Sequence, residues 1–299
     1  MPEWDAEVRV DKALAGQLIS EQFPELEVGE VRLLGEGWDT MVWLVDGRWV
    51  FRFPRRTMVI SGLELEMRYL TALADRLPLP VPRPTYLGRP SQAFGWPFYG
   101  APYLPGRELA ETPLDDDART ALGRPLGEFL RALHTAELDA DLPVDPVHRA
   151  DMDARVPLTR ERFAQLEQAG LWRAPAAAHE IVAAAAELDP PDPRAIVHGD
   201  FHLRHLLVDD SGFPAAVIDW VDLSRNDPGV DLVLYWCLLP PEGRRDFRAA
   251  YGQPTDAQLL RGRILSLFLC GVLALWGDHE GVDGVKREAL AGLERTLVD

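Results

Sequence analysis

Residues 196–209 read IVHGDFHLRHLLVD, in which two apolar runs enclose a loop dense in titratable side chains. A second apolar run follows at residues 216–218 and ends at a lone carboxylate, Asp219. Several ionisable groups at the ends of apolar strands are typical of sites that coordinate or catalyse. A plain polar hairpin, with Asp200 capping a turn and the histidines exposed, would account for each residue alone but not for the combination. The pattern therefore predicts a functional loop between two short strands.

The spacing of these groups suits phosphoryl transfer. A hydroxyl nucleophile needs a carboxylate that orients it and receives its proton, and a loop aspartate has this role in protein kinases. Asp200 is the candidate for that carboxylate. A metal ion that bridges nucleotide phosphates needs a further carboxylate, and Asp219 follows at the end of the next strand. His205 lies later in the same loop, where a third ligand is expected.

Upstream of this loop, the first third of the chain is β-rich with one main helix. Asp46-Gly47 separates two alternating apolar runs, which is a strong hairpin signal. A second glycine turn is expected at Gly35-Glu36-Gly37, and an amphipathic helix follows around residues 63–73. Downstream the pattern becomes helical apart from the functional loop. We therefore predict an α+β fold of two lobes, a nucleotide-binding lobe at residues 1–103 and a catalytic and substrate-binding lobe at residues 104–299.

Two motifs together resemble a known family. His198-Gly199-Asp200 followed by Ile218-Asp219 is similar to the pattern of the aminoglycoside phosphotransferase and choline kinase superfamily. The resemblance covers most of the chain and implies a protein-kinase-like fold, Mg²⁺ held by His205 and Asp219, and GTP or ATP as phosphate donor. Most of the superfamily carries asparagine where this chain has His205, and histidine there resembles the macrolide 2'-phosphotransferase branch. That branch implies transfer of the γ-phosphate, with GTP favoured, to the 2'-hydroxyl of a macrolide's amino sugar, which inactivates the antibiotic.

The resemblance also assigns a nucleotide site to the first lobe. The family's strand cation is usually lysine, and Arg52 takes its place here, with Glu66 as its expected helix partner and Glu64 as the alternative. An inward arginine on an apolar strand costs desolvation unless it is paired, and its planar fork suits phosphate oxygens. A surface Arg–Glu pair and a plain β-turn are the structural alternatives. The other candidates for nucleotide contact are the turn glycines and the connector after the last strand: Gly35, Gly37, Pro102 through its carbonyl, and Leu104 or Tyr103 through an N–H.

Further residues are expected to support the loop or to meet the acceptor. We expect His198 to orient the loop, and His202 either to contact substrate or to be exposed. Asp231 begins a predicted helix, where the superfamily's aspartate steadies the catalytic loop, and it is also a substrate candidate. A macrolide is bulky and largely apolar, so aromatic side chains could line its pocket, although at helical spacing they more often belong to a core. These aromatic candidates are Trp220, Tyr235, Trp236, Phe268 and Trp276.

Composition limits the classes of molecule that the protein is expected to bind. The chain has 299 residues and a formal net charge of −17, which disfavours nucleic acid and anionic membranes as partners. The two cysteines form no disulfide or zinc pattern, and the first residues lack the pattern of a signal peptide. We expect the longest apolar run, Ile264 to Trp276, to be too short to span a bilayer. The expectation is a cytoplasmic monomer that binds a nucleotide and a small molecule.

Three alternatives stay open. The acceptor could be an aminoglycoside, an amino alcohol or a sugar instead of a macrolide. The chain could also be a non-catalytic nucleotide-binding pseudokinase, although Asp200, Asp219 and the basic strand residue are all present. Protein kinase activity has the least support, because the chain contains no HRD, DFG or APE sequence.

Overall fold

The β-rich first part of the chain folds into a five-stranded antiparallel sheet with two helices. The computed structural model describes residues 7–37 and 39–299. The elements of this part are α1 (Lys12–Gln22), β1 (Val31–Glu36), β2 (Thr40–Val45), β3 (Trp49–Pro54), α2 (Ile60–Ala74), β4 (Tyr86–Gly88) and β5 (Phe98–Pro102), with a 3-10 turn at Thr57–Val59. The strands pair in the order β1-β2-β3-β5-β4. An aromatic core fills one side of the sheet, where Phe53 stacks on Phe98 with 4.5 Å between ring centroids.

The turn between β2 and β3 is the one that Asp46-Gly47 predicts. Asp46 (φ 51°) and Gly47 (φ 65°) both lie in the left-handed region. The Arg48 N–H donates to the Val45 carbonyl oxygen over 3.0 Å. Positive φ at both central residues is characteristic of a type I′ turn, whose twist matches that of the flanking strands. The local sequence therefore fixes the register of this hairpin.

The second glycine turn is shorter than expected. β1 continues through Gly35 and Glu36, and Gly35 lies opposite Val42 of β2 after a register shift. The Gly37 N–H donates to the Thr40 carbonyl oxygen over 2.9 Å. Glycine is common at β-bulges, so Gly35 marks an irregular strand and not the start of a turn. Trp38, which follows Gly37, lies outside the described residues.

The rest of the chain is mostly helical. Its helices are α3 (Asp116–Ala121), α4 (Gly123–His134), α5 (Met152–Gln168), α6 (Ala176–Ala185), α7 (Val233–Cys237), α8 (Pro241–Tyr251), α9 (Asp256–Glu280) and α10 (Asp283–Leu297), with 3-10 turns at Leu109–Glu111 and Pro228–Asp231. Its short strands are β6 (Arg107–Glu108), β7 (Ala195–Val197), β8 (Leu206–Val208), β9 (Pro214–Val217) and β10 (Ser224–Asn226). β10 pairs with β7, and β8 pairs with both β6 and β9. These pairings bring the loops that follow β7 and β9 together.

The chain forms two compact units. Unit 1 comprises Met1–Asp75 and Pro80–Leu104, and unit 2 comprises Arg76–Leu79 and Pro105–Asp299. Unit 1 contains the antiparallel sheet and unit 2 contains the helical part with the functional loop. This organisation confirms the expected α+β fold with a β-rich first lobe and a mostly helical second lobe.

The long apolar helix of unit 2 corrects one expectation. α9 has 25 residues, so the apolar run within it belongs to a helix that is long and apolar enough to cross a bilayer. Within unit 2, however, α9 packs against α5, α6, α7 and α10. Because 67% of its most apolar window is buried inside the protein, α9 has the surroundings of a core helix.

Candidate functional site

The loop between β7 and β8 carries the candidates Asp200 and His205, and the structure brings both together with Asp219. Asp200 Oδ2 lies 3.8 Å from His205 Nδ1. His205 Nε2 lies 3.6 Å from Oδ2 of Asp219, which follows the end of β9. Asp219 has a φ of 66°, in the left-handed region that non-glycine residues seldom adopt. Such backbone conformations persist where surrounding structure enforces them and are frequent at functional sites.

Backbone contacts determine which nitrogen of His205 carries the proton. His205 Nδ1 lies 2.8 Å from the backbone carbonyl oxygen of Asp200. Because a carbonyl oxygen only accepts, Nδ1 is the protonated nitrogen and Nε2 keeps its lone pair towards Asp219. Burial, followed by the nearby His202, lowers the pKa of His205, which favours this neutral form. Metal-binding imidazoles usually donate their second N–H to a carbonyl or carboxylate in this way.

The pair of His205 Nε2 and Asp219 Oδ2 fits a divalent cation. Two lone-pair atoms 3.6 Å apart repel each other unless a cation lies between them. This separation is shorter than two metal–ligand bonds of about 2.1 Å each, so both atoms could bind one ion. Mg²⁺ prefers oxygen ligands, so Asp219 suits this ion. The imidazole of His205 suits softer divalent ions, so this pair of donors fits either kind of ion.

His202 faces Asp200 and is buried, which corrects the alternative that it is exposed. The Arg204 N–H donates to His202 Nδ1 over 3.2 Å, so the proton of the neutral ring belongs on Nε2. That nitrogen lies 3.5 Å from Asp200 Oδ2. Possible ligand atoms of Asp200, His202 and His205 lie within 4.8 Å of one another. A proton on Nε2 makes His202 a donor towards Asp200, which leaves His205 Nε2 and Asp219 as the pair of lone-pair atoms that face each other.

His198 connects the loop that follows β7 with the segment that follows β9. Its Nε2 donates to the carbonyl oxygen of Ile218 over 3.0 Å, and its Nδ1 accepts the Asp200 N–H over 3.2 Å. The ring also packs against Trp220, with 4.6 Å between centroids. Burial lowers the pKa of His198, so the ring stays neutral and can accept at Nδ1. These contacts are the ones expected of a structural residue that orients the loop.

Asp231 is buried against the backbone of the loop. It ends the 3-10 turn Pro228–Asp231 instead of beginning a helix, and it is completely buried. Its carboxylate accepts the N–H groups of His198 and Gly199 over 2.8 and 2.9 Å. Full burial leaves no surface for a substrate, so the expected substrate contact is wrong. The loop-steadying role implied by the resemblance matches these two bonds.

A cation that the sequence reasoning missed holds Asp200. Arg149 Nη1 lies 2.7 Å from Asp200 Oδ1, and Arg149 Nη2 donates to Asp222 Oδ2 over 2.7 Å. Burial opposes the charged form of Arg149, but Asp200 and Asp222 raise its pKa overall. No spacing pattern marks Arg149. Asp222 was the one signal in the sequence for such a cation, because an additional buried carboxylate beside the site needs a positive charge nearby.

The charge of Asp200 reflects these partners. Burial alone would raise the pKa of Asp200, but Arg149, with smaller contributions from His202 and His205, outweighs it. The pKa of Asp200 therefore lies well below the ordinary value of an aspartate. A carboxylate of this kind stays ionised and accepts a hydrogen bond, so it can orient a hydroxyl group at any physiological pH.

Two of the nucleotide candidates of unit 1 form a buried ion pair. Arg52 on β3 lies 3.5 Å from Glu66 on α2, and both side chains are buried. The pair is therefore internal and not the surface pair considered as an alternative. Pro102 ends β5 and is exposed. The Tyr103 N–H already donates to the Arg48 carbonyl oxygen over 2.8 Å, which leaves Leu104 as the candidate donor to a base.

The aromatic candidates for substrate contact mostly belong to the core of unit 2. Trp236 is buried, its Nε1 donates to the Leu259 carbonyl oxygen over 2.8 Å, and Arg263 lies 4.3 Å from its ring centroid. The expected substrate contact of Trp236 is therefore wrong, because helical spacing placed it in the core. Trp276 is half-buried beneath Arg204, 4.3 Å from the ring centroid. The remaining candidates are all buried: Trp220, Tyr235 and Phe268.

Solved structures share this fold. The GDP and kanamycin complex of APH(2")-IIia is 24% identical, with 94% of this chain and 97% of that chain covered and a TM-score of 0.67. The macrolide 2'-phosphotransferase MphH from Brachybacterium faecium is 23% identical, with 95% and 97% covered and a TM-score of 0.60. At this identity the likeness shows the fold alone.

Sequence comparison supplies the family. The uncharacterized protein YcbJ of Bacillus subtilis (strain 168) is 38% identical over 45 residues, and the chain spans 15% of the length of this curated relative. The sequence profile named APH, which describes a phosphotransferase enzyme family, matches residues 30–263. This match includes the strands of unit 1, the functional loop and Asp219. Since it spans more than half of the chain, the protein belongs to the phosphotransferase enzyme family.

Proposed function

We propose that the protein transfers the γ-phosphate of a nucleoside triphosphate, with GTP favoured over ATP, to the 2'-hydroxyl of the amino sugar of a macrolide, and so inactivates the antibiotic. The observation that carries the proposal is His205, whose lone pair faces Asp219 over 3.6 Å. Histidine at this position resembles the macrolide branch of the superfamily. Membership of the phosphotransferase family supports the reaction type.

Asp200 would orient the acceptor hydroxyl and accept its hydrogen bond. Because the transition state of phosphoryl transfer is loose, little proton transfer is needed before the phosphate moves, and positioning dominates. The lowered pKa of Asp200 agrees with this role, because an acceptor for a hydrogen bond has to stay ionised. A Mg²⁺ ion held by Asp219 and His205 would neutralise charge on the phosphates.

Unit 1 would supply the nucleotide site. Arg52 would bind phosphate oxygens as a fork, and Glu66 would fix its orientation through the buried ion pair of 3.5 Å. Backbone N–H groups near Gly35 and Gly37 would lie over the phosphates, and the Pro102 carbonyl and Leu104 N–H would meet the base. In functional terms we propose residues 1–103 as the nucleotide-binding lobe and 104–299 as the catalytic lobe. We also propose that the protein acts as a cytoplasmic monomer.

A neutral sugar is a second candidate for the acceptor, and Arg149 favours it. A macrolide amino sugar, an aminoglycoside and an amino alcohol each bring a protonated amine close to the reacting hydroxyl. Arg149 already neutralises part of the charge of Asp200 and Asp222, with contacts of 2.7 Å to each. A cationic acceptor gains less from carboxylates that are already paired, whereas an uncharged polyol loses nothing.

The acceptor can be identified with labelled nucleotide. Purified protein, Mg²⁺ and GTP or ATP labelled at the γ-phosphate are incubated with macrolides, aminoglycosides, choline and neutral sugars. We expect label transfer to a 14-membered macrolide, detected as a mass increase of the product. Transfer to sugars alone would replace the macrolide with the second candidate. Nucleotide binding without transfer to any acceptor would favour the pseudokinase alternative.

Asp200→Ala tests the mechanism. We expect this variant to lose turnover and to bind nucleotide with nearly unchanged affinity, because Asp200 positions the acceptor. Asp210→Ala is a matched control, because the Asp210 side chain is fully exposed and makes a surface ion pair of 3.4 Å with Arg107. Turnover of Asp200→Ala close to that of the wild type would contradict the assignment of the catalytic carboxylate.

A further inference from the structure

Arg149 joins two carboxylates with one guanidinium group. Its Nη1 lies 2.7 Å from Asp200 Oδ1, and its Nη2 lies 2.7 Å from Asp222 Oδ2. The side chains are 13% exposed for Arg149, 19% for Asp200 and 20% for Asp222, so the bridge is largely removed from water. The Arg149–Asp222 contact is a hydrogen bond, whereas the Arg149–Asp200 contact is a short ion pair without hydrogen-bond geometry. A guanidinium group that Asp222 holds in this way places a fixed positive charge against Oδ1 of Asp200.

The backbone that carries Arg149 is itself held in place. The Asp145 carboxylate accepts the N–H groups of Arg149 and Ala150 over 2.6 and 3.1 Å. Asn226 on β10 donates its side-chain amide to the same carboxylate over 2.9 Å. Arg155 on α5 donates from Nε to the His148 carbonyl oxygen over 2.9 Å. Segment 145–150 is thereby fixed to β10 and α5, although it has no helix or strand of its own.

The second carboxylate of the bridge is fixed against the functional loop. A Cβ atom on Gly199 would lie 2.4 Å from the Asp222 carbonyl oxygen, so the two backbones are in direct contact. Gly199 has a φ of 84°, which only glycine adopts without strain. The Asp222 backbone therefore cannot come closer without displacing the loop. Asp222 is an anchor whose position is set by the same loop that carries Asp200.

These contacts distinguish the two oxygens of Asp200. Oδ1 is buried from solvent and faces Arg149. Oδ2 faces His202 Nε2 at 3.5 Å and His205 Nδ1 at 3.8 Å, on the side where the metal candidates lie. Since the side chain as a whole keeps 19% of its exposure, the accessible part is on the Oδ2 side.

We propose that Arg149 is a positioning residue for the catalytic carboxylate. By bridging Asp222 and Oδ1 of Asp200, it holds the carboxylate in the one orientation that presents Oδ2 to the acceptor hydroxyl. The inference rests on the proposed role of Asp200 and is independent of the identity of the acceptor.

Kinetics of Arg149 variants test this role. In the full chain, Arg149→Ala should lower kcat about 100-fold, since misplacement of a reacting group by about 1 Å has an effect of that size. The KM for nucleotide should stay within about twofold, because the nucleotide candidates belong to other residues. Guanidinium ion at a non-denaturing concentration should restore part of kcat in Arg149→Ala and none in Asp200→Ala. Arg149→Lys should fall between wild type and Arg149→Ala, because lysine contacts only one carboxylate well.

Arg131→Ala on α4 is the matched control, because Arg131 has an exposed side chain in the same unit. A kcat of Arg149→Ala within about threefold of the wild type would overturn the proposal, and so would a loss of kcat accompanied by an equal loss of nucleotide binding. A crystal structure of Arg149→Ala gives a second readout that needs no acceptor. If the Asp200 carboxylate keeps its orientation there, Arg149 does not position it. If the wild type transfers phosphate to no acceptor, the proposed function fails and this structure still decides the role of Arg149.

Discussion

Substitution of the buried Asp231 tests how the functional loop is held in place. Oδ1 accepts the Gly199 N–H over 2.9 Å, and Oδ2 accepts the His198 N–H over 2.8 Å. His134 Nε2 lies 3.1 Å from Oδ2, and the Tyr251 hydroxyl lies 2.8 Å from the other ring nitrogen of His134. Because a carboxylate only accepts, His134 donates from Nε2, and its neutral Nδ1 accepts the hydrogen bond that the Tyr251 hydroxyl donates. Asp231→Asn keeps the shape and replaces one acceptor by a donor.

The expected cost follows from these bonds. In its better orientation the asparagine amide nitrogen occupies the Oδ1 position and faces the Gly199 N–H, so one charge-assisted bond is lost and one buried donor is left unsatisfied. A hydrogen bond to a charged group contributes about 1.5–3 kcal/mol, and an unsatisfied buried donor costs about 1–3 kcal/mol. Part of this is offset because a buried charge is removed. We expect a loss of about 2–4 kcal/mol in the free energy of unfolding.

Urea unfolding followed by circular dichroism measures this loss. For a unit of roughly 200 residues, the same change should lower Tm by about 5–15 °C. Phosphate transfer should fall at the same time, because the Gly199 backbone that carries Asp200 loses its support. Asp246→Asn on α8 is the control, because Asp246 is exposed. A loss below about 1 kcal/mol with normal turnover would refute the reasoning that Asp231 holds the loop.

Three further changes should have separable effects. Gly199→Ala should cost about 2–4 kcal/mol of unfolding free energy, because its Cβ would lie 2.4 Å from the Asp222 carbonyl oxygen at a φ of 84°. Glu288→Gln should cost about 3–5 kcal/mol, because it breaks a buried two-bond pair with Arg119 at 2.8 and 2.9 Å. Burial lowers the pKa of His198, so below about pH 6.5 the unfolded chain binds more protons than the folded one, and stability should fall as the pH falls. Urea unfolding measures the first two changes, and the same experiment between pH 8 and pH 5 measures the third.

Each of these changes has a control in the same chain. Gly281→Ala isolates the cost of positive φ, since Gly281 has a φ of 72° and no atom within 4 Å of an added Cβ. Equal losses at Gly199 and Gly281 would contradict the steric contact. Glu128→Gln removes an exposed ion pair with Arg124 on α4. A loss of stability as large as that of Glu288→Gln would show that burial of the pair is irrelevant. His198→Gln should flatten the pH dependence, and an equally steep curve in this variant would assign the effect to other groups.

Local sequence signals predicted local structure well. Asp46-Gly47 specified a turn with two positive φ angles, and no distant contact was needed for it. The His-Gly-Asp loop was also readable, because its residues are neighbours in sequence and the strand pairings keep them neighbours in space. Helix ends were harder to predict. α4 begins at Gly123, where an added Cβ would lie 2.1 Å from the Gly243 carbonyl oxygen of α8. Because this close approach involves a helix that is distant in sequence, the local sequence did not predict the boundary between α3 and α4.

The missed part of the site has the same physical cause. Arg149 lies in a segment without helical or strand periodicity, and only the tertiary fold brings it to Asp200 and Asp222. For Trp236 the error was the reverse, since a core residue was included among the substrate contacts. An aromatic residue at helical spacing has the same sequence pattern whether it lines a pocket or belongs to a core. Asp231 was placed at a helix start although it ends a 3-10 turn, since a few residues decide between the two and pattern reading does not resolve them.

The left-handed backbone of Asp219 has a consequence for how this site could be lost by mutation. Glycine, asparagine and aspartate are the residues that accept a φ near 66° at low cost, and of these only aspartate carries a carboxylate. A glutamate would keep the charge and strain the backbone, so the ligand cannot be lengthened by simple substitution. Conversely, an asparagine or glycine would leave the fold intact and remove the carboxylate that we propose as a metal ligand. A single exchange at this position could therefore turn the enzyme into a stable inactive protein, which no screen for misfolding would detect.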